Sequence, residues 1–115
     1  MMQTGLWLLA LSVILGAFGA HGLKMMVVAD RLETWDTAVR YHAWISILLI
    51  VLGGSFFRVS VWVRRLLILG LSVFSGSLYL LVILDVGALG AVTPFGGVLL
   101  IAGISLAAIT CREAD

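Results

Sequence analysis

The chain has 115 residues, 63% hydrophobic and 11% charged, with a formal net charge of +1. Soluble domains carry roughly 25% charged residues, so this composition excludes a water-soluble fold, and the length allows a single domain. No basic patch is present to neutralise phosphates, which excludes nucleic acid as a partner.

The charges are clustered. Residues 3–20, 41–57, 66–84 and 86–111 contain no Asp, Glu, Lys or Arg. Three of these windows have the length that crosses ~30 Å of hydrocarbon, and Thr93-Pro94 divides the fourth, longer one. The expectation is an all-α, integral membrane four-helix bundle in contact with the lipid bilayer. It forms one transmembrane domain over residues 1–115, with spans at about 3–20, 38–57, 62–84 and 94–111.

In the first span Ser12, Gly16 and Ala20 recur every four residues, with Gly19 beside them. Such a strip of small residues lets another backbone approach closely, which is what drives helix association in lipid. Gly19 and Gly22 predict that the helix ends near His21, before Lys24. No Lys or Arg precedes the apolar run, so a cleaved signal peptide is not expected.

Residues 30–40 are the most polar part of the chain. Leu32, Trp35 and Val39 fall on one helical face, and Glu33, Asp36, Thr37 and Arg40 on the other. We read a short interfacial helix that runs into the second span, with Trp35 and Tyr41 at headgroup level. Asp36 and Arg40 stand four apart, a spacing at which a helical ion pair is worth ~0.2–0.5 kcal/mol.

Gly53-Gly54 lies near the far end of the second span, and Arg58, Arg64 and Arg65 bracket the connection to the third. The third span carries Ser72, Ser75 and Tyr79 near one face, with Gly76 among them, and ends at Asp85. Residues 86–92 read as a glycine-rich loop. Thr93 is a good N-cap for the fourth span and Pro94 suits its first position. Gly96, Gly97 and Gly103 permit close packing beyond it. Cys111 is the lone cysteine, which rules out an intramolecular disulfide.

Both termini and the second loop share one side of the membrane with Arg58, Arg64, Arg65 and Arg112; Lys24, Arg31 and Arg40 lie on the other. The dense arginines in a short loop predict that the termini are cytoplasmic. His21, Lys24, Asp36, Arg40, His42 and Asp85 are then expected near the opposite face.

Four motifs in order, LGAFGAHGLK (15–24), TAVRYHAW (37–44), FSGSLYLL (74–81) and VTPFGGV (92–98), resemble the YgdD/YwdK-type family of small four-span membrane proteins of unknown function. The resemblance covers nearly the whole chain. It implies a bacterial inner-membrane protein with four helices and implies no activity. Relatives tend to carry Tyr, Gln, two residues and then His in the second span. Here Tyr41 is kept, His42 occupies the Gln position and Ile45 the His position. Ile104 stands where relatives commonly have Trp.

His21 and His42 are the two side chains able to ligate a haem or metal, or to contact a quinone. The blander reading, a histidine bonded to a helix-end carbonyl or sitting among headgroups, fits the sequence better. No cofactor and no metal are expected. His21, Lys24, Asp36, Arg40, Tyr41, His42 and Asp85 form a candidate polar cluster, which a transporter or channel component would use as a gate. No catalytic residue is identified, because no nucleophile motif surrounds any serine. Ser12, Gly16, Gly19, Ala20, Gly76, Gly96 and Gly97 are the candidate packing positions. Abundant packing glycines without a buried carboxylate point to a non-catalytic accessory subunit, with a membrane-protein partner or a homo-oligomer.

Overall fold

A computed structural model describes residues 1–114. It contains four long helices, α1 (Met2–His21), α2 (Ala29–Gly53), α3 (Val61–Leu84) and α4 (Thr93–Thr110). Each is long and apolar enough to cross a membrane. Short 3₁₀ turns at Leu23–Met25 and Gly87–Ala91 connect α1 to α2 and α3 to α4. Strands β1 (Phe57–Arg58) and β2 (Arg112–Glu113) make a small antiparallel ladder that ties the C-terminal tail to the α2–α3 loop, with Arg58 opposite Arg112.

The helices pack in chain order as a row. α1 contacts α2, α2 contacts α3 and α3 contacts α4, with no backbone approach within 8 Å between α1 and α3, α1 and α4, or α2 and α4. The molecule is correspondingly flat, 51 × 26 × 15 Å. Hydrophobicity does not drive this association in lipid, so close backbone approach and hydrogen bonds must.

Glycines provide the approach in two of the three seams. Between α1 and α2, a Cβ on Gly19 would lie 2.6 Å from Trp35 Cδ1, and one on Gly5 would lie 2.8 Å from the Ser46 carbonyl oxygen. Between α3 and α4, a Cβ on Gly96 would overlap the Phe74 backbone, and one on Gly70 would lie 2.9 Å from Leu100 N. No glycine makes such an approach in the α2–α3 seam. There Ser75 Oγ donates to the Ala38 carbonyl (2.9 Å), and His42 Nδ1 lies 2.9 Å from the Tyr79 hydroxyl. The fold is two glycine-packed hairpins joined by a hydrogen-bonded seam.

The packing strip of α1 differs in detail from the sequence reading. Gly5, Ser12 and Gly19 are its buried positions, whereas Ala20 is exposed. Antiparallel neighbours at a shallow angle favour a seven-residue repeat over a strict four-residue one. Gly76 also departs from expectation, since a Cβ there would meet nothing within 4 Å, and Gly97 would make only ordinary contact with the Phe74 ring. Thr93 is not the cap of α4. The 3₁₀ turn runs into the helix through Val92, and the Thr93 hydroxyl bonds Ser77 Oγ on α3 instead, at 2.6 Å.

Asp85 closes α3 in the left-handed region, with φ 53°. Its Oδ1 accepts from Arg31 Nε at 2.9 Å, which clamps the start of α2 to the end of α3. The pair is solvent-exposed, so Asp85→Asn, which keeps a residue tolerant of this backbone, should cost under ~1 kcal/mol. A shift of under a few degrees in thermal midpoint, with little further effect of added salt, would be the observation.

Candidate functional site

Two polar features involve α2. The first is buried. His42 is 4% exposed on α2, between the core cluster around Leu49 and Leu67 and the one around Trp35 and Leu78. Its Nδ1 pairs with Tyr79, whose ring also packs on Trp35 with centroids 4.7 Å apart. Its Nε2 is buried without a well-formed hydrogen bond, although the Leu8 backbone carbonyl is close by. Beside it, Leu8, Leu11, Ser75, Gly76 and Tyr79 line a cavity of about 170 Å³ that is almost wholly apolar.

His42 therefore does not lie near the membrane surface with His21. It stands level with Leu8 and Leu11 of α1, while exposed His21 ends that helix about 15 Å further along. The two histidines are not brought together, and one haem or metal between them is not a geometry this fold offers. Among the described residues, no three His, Cys, Asp or Glu side chains converge as a metal site requires.

Tyr79→Phe tests the pair. It removes the 2.9 Å bond and leaves Nδ1 of the buried His42 without its partner. Intramembrane hydrogen bonds average ~0.6 kcal/mol and reach ~1.7 kcal/mol. Burial of the orphan places this loss near the upper figure, about 1.5 kcal/mol in an SDS-titration unfolding assay.

The second feature is open. Asp30, Glu33, Thr34, Asp36, Thr37 and Arg40 line one shallow depression on α2, and among the described residues no acid pairs with Arg40. The depth of this strip follows from what lies on the other side of the helix. Trp35, adjoining Asp36, packs over Gly19 and donates from Nε1 to the Leu15 carbonyl at 2.8 Å. Val39, adjoining Arg40, packs at Gly16. Asp36 and Arg40 thus run alongside the charge-free α1 rather than beyond its end, and Arg40 lies about 15 Å along α2 from Asp30.

This corrects two expectations. Trp35 is not a headgroup anchor: it is 1% exposed, in the α1–α2 seam, because Gly19 leaves room for the indole and Leu15 offers its N–H an acceptor. Asp36 and Arg40 are not confined to the edge, because α2 is continuous from Ala29 and its polar turns pack against α1. The candidate cluster is also divided. Asp85 is engaged by Arg31 at one end of the molecule, His21 and Lys24 are exposed at the α1–α2 connection, and Tyr41 is exposed against Trp44 and Phe74. Sequence reasoning passed over Arg31, whose position a turn before Trp35 was the available signal.

The four motifs now have structural roles. Leu15 and Gly19 receive Trp35, Ala38 and His42 receive Ser75 and Tyr79, Ser77 bonds Thr93, and Gly96 admits Phe74. Residues 15–97 match the family described as "Protein of unknown function (DUF423)". The chain belongs to this family. It is 43% identical over 96 residues to the UPF0382 membrane protein SH2409 of Staphylococcus haemolyticus, covering 81% of this chain and 79% of that one. It is 40% identical over 93 residues to the UPF0382 membrane protein YwdK of Bacillus subtilis, covering 76% of each. No solved structure matches the chain. Membership in a family whose relatives are named membrane proteins agrees with four membrane-spanning helices, and this is an integral membrane protein.

Proposed function

We propose that this family member is a non-catalytic accessory or structural subunit of a bacterial membrane assembly, acting through lateral contacts of its helices. The observation that carries the reading is the charged strip on α2. Ionisable side chains within membrane spans face a protein interior or water-filled cavity, because hydrocarbon solvates them poorly. Here Asp36 and Arg40 face outward from a single layer of helices, alongside α1 rather than beyond its end, so another protein surface is needed to cover them.

The native mass of tagged protein after mild extraction from its own membrane tests this. A mass above one chain, with stoichiometric polypeptide accounting for the excess, is the expected result. A bare monomer would overturn the reading.

Cytoplasmic termini in the inner membrane belong to the same proposal. Arg58, Arg64, Arg65 and Arg112 gather at the end of the molecule that carries both termini. A fluorescent protein fused after residue 114 should fold and fluoresce, and a periplasm-dependent phosphatase fused in the α3–α4 loop should be active. The reverse pattern would invert the orientation.

A further inference from the structure

We propose that the surface covering the α2 strip is a second copy of this chain, packed α2 against α2 around a two-fold axis along the membrane normal. This rests on the accessory-subunit reading and names its first partner.

Three observations point to self-association. The outward face of α2 carries Glu33, Thr37, Arg40, Trp44, Ile47 and Val51, at alternating spacings of four and three. That is the repeat with which two helices pack along one another at a shallow angle. Trp44, Ile47 and Val51 are each about half exposed, so this face is unpartnered over the apolar half of the helix as well. Finally, the strip contains both signs of charge, and among the described residues neither forms an ion pair. A partner with one sign alone would leave charges uncovered, whereas a copy of the same strip supplies both.

Copies inserted in one membrane share one orientation, so a two-fold contact sets equal depths side by side. Arg40 then stands level with its own counterpart, and Asp36 of the other copy lies one helical turn, about 5–6 Å along the axis, away. A guanidinium on a three-carbon stem reaches across that offset, and the relation is reciprocal, as a two-fold interface requires. Arg40 is the deepest charge of the strip and gains most from such a neighbour in low dielectric.

Charge reversal provides the test, read as native mass in a mild detergent and as energy transfer between two labelled populations in nanodiscs. Both substituted positions are exposed, and circular dichroism confirms that each variant keeps its helices. Wild type is expected to be dimeric. Asp36→Arg alone and Arg40→Asp alone each place like charges against like and should weaken the dimer at least tenfold. Co-expression of these two variants should restore association, now as a mixed dimer, since positions 36 and 40 are then both positive in one copy and both negative in the other.

Dimers indifferent to both reversals, or variants that fail to associate with one another, would overturn the inference. A wild-type chain held by a different polypeptide and released by Asp36→Arg would overturn it while leaving the accessory reading intact. A wild-type monomer would overturn both.

Discussion

Replacing Gly96 with alanine is expected to lower the stability of the helical domain by about 3 kcal/mol, the upper end of what overpacking costs. The added Cβ would meet Phe74 N, Cα and Cβ, which are backbone and its immediate attachment rather than the movable end of a side chain. Relief therefore requires moving α4 away from α3. The crossing point has no slack elsewhere: a Cβ on the facing Gly70 would lie 3.1 Å from the Gly96 carbonyl oxygen and 2.9 Å from Leu100 N. Separation would also stretch the 2.6 Å bond between Ser77 and Thr93. Gly76→Ala is the control, on the same pair of helices but in open space, and should be neutral or stabilising by about 0.5–1 kcal/mol through helix propensity. Equal effects of the two substitutions in SDS-titration unfolding would show that α3 and α4 do not cross as described.

Trp35→Ala is expected to cost about 3 kcal/mol. In water, removing a buried Trp loses its transfer free energy and leaves a cavity, together ~3–5 kcal/mol. In a bilayer the transfer component largely disappears, because the separated helices expose their side chains to hydrocarbon. What remains is the cavity and the lost contacts. Trp35 touches the rings of Phe18 at 5.8 Å and Tyr79 at 4.7 Å between centroids, so it links α1 to α3 across α2. Trp35→Phe retains much of this ring packing but not the 2.8 Å bond to the Leu15 carbonyl, and should cost about 1 kcal/mol. A Trp35→Ala protein as stable as wild type would mean that the indole lies among headgroups after all.

The number and rough extent of the helices were legible because a bilayer demands long charge-free stretches, and that demand is local to each segment. The family resemblance was legible for a related reason. Its motifs are the places where neighbouring helices touch, and the residue types there are narrowly constrained by space and by hydrogen bonding. Gly19 and Gly96 could be recognised as packing residues. Their partners could not, since nothing in the chain order says that Trp35 rather than Val39 fills the space at Gly19.

The candidate site was less legible. His42 reads as the second residue of a charge-free window, and hence as a residue near the surface. That placement assumed that α2 begins its crossing where its charges end. The helix instead begins at Ala29 and packs against α1 along its polar turns, which carries His42 inward to Tyr79 and draws Asp36 and Arg40 alongside the apolar part of α1.

The sequence by itself determined that this is a four-span membrane protein, which end of it is rich in arginine, and where close helix contacts are permitted. Those properties follow from composition within single segments. Only the tertiary structure decided that the helices form an open row, that Trp35 and His42 are interior, and that a charged strip faces outward at the depth of its neighbour's apolar core. These depend on the register of one helix against another, which is set by glycine-to-indole and hydroxyl-to-carbonyl fits between residues distant in the chain.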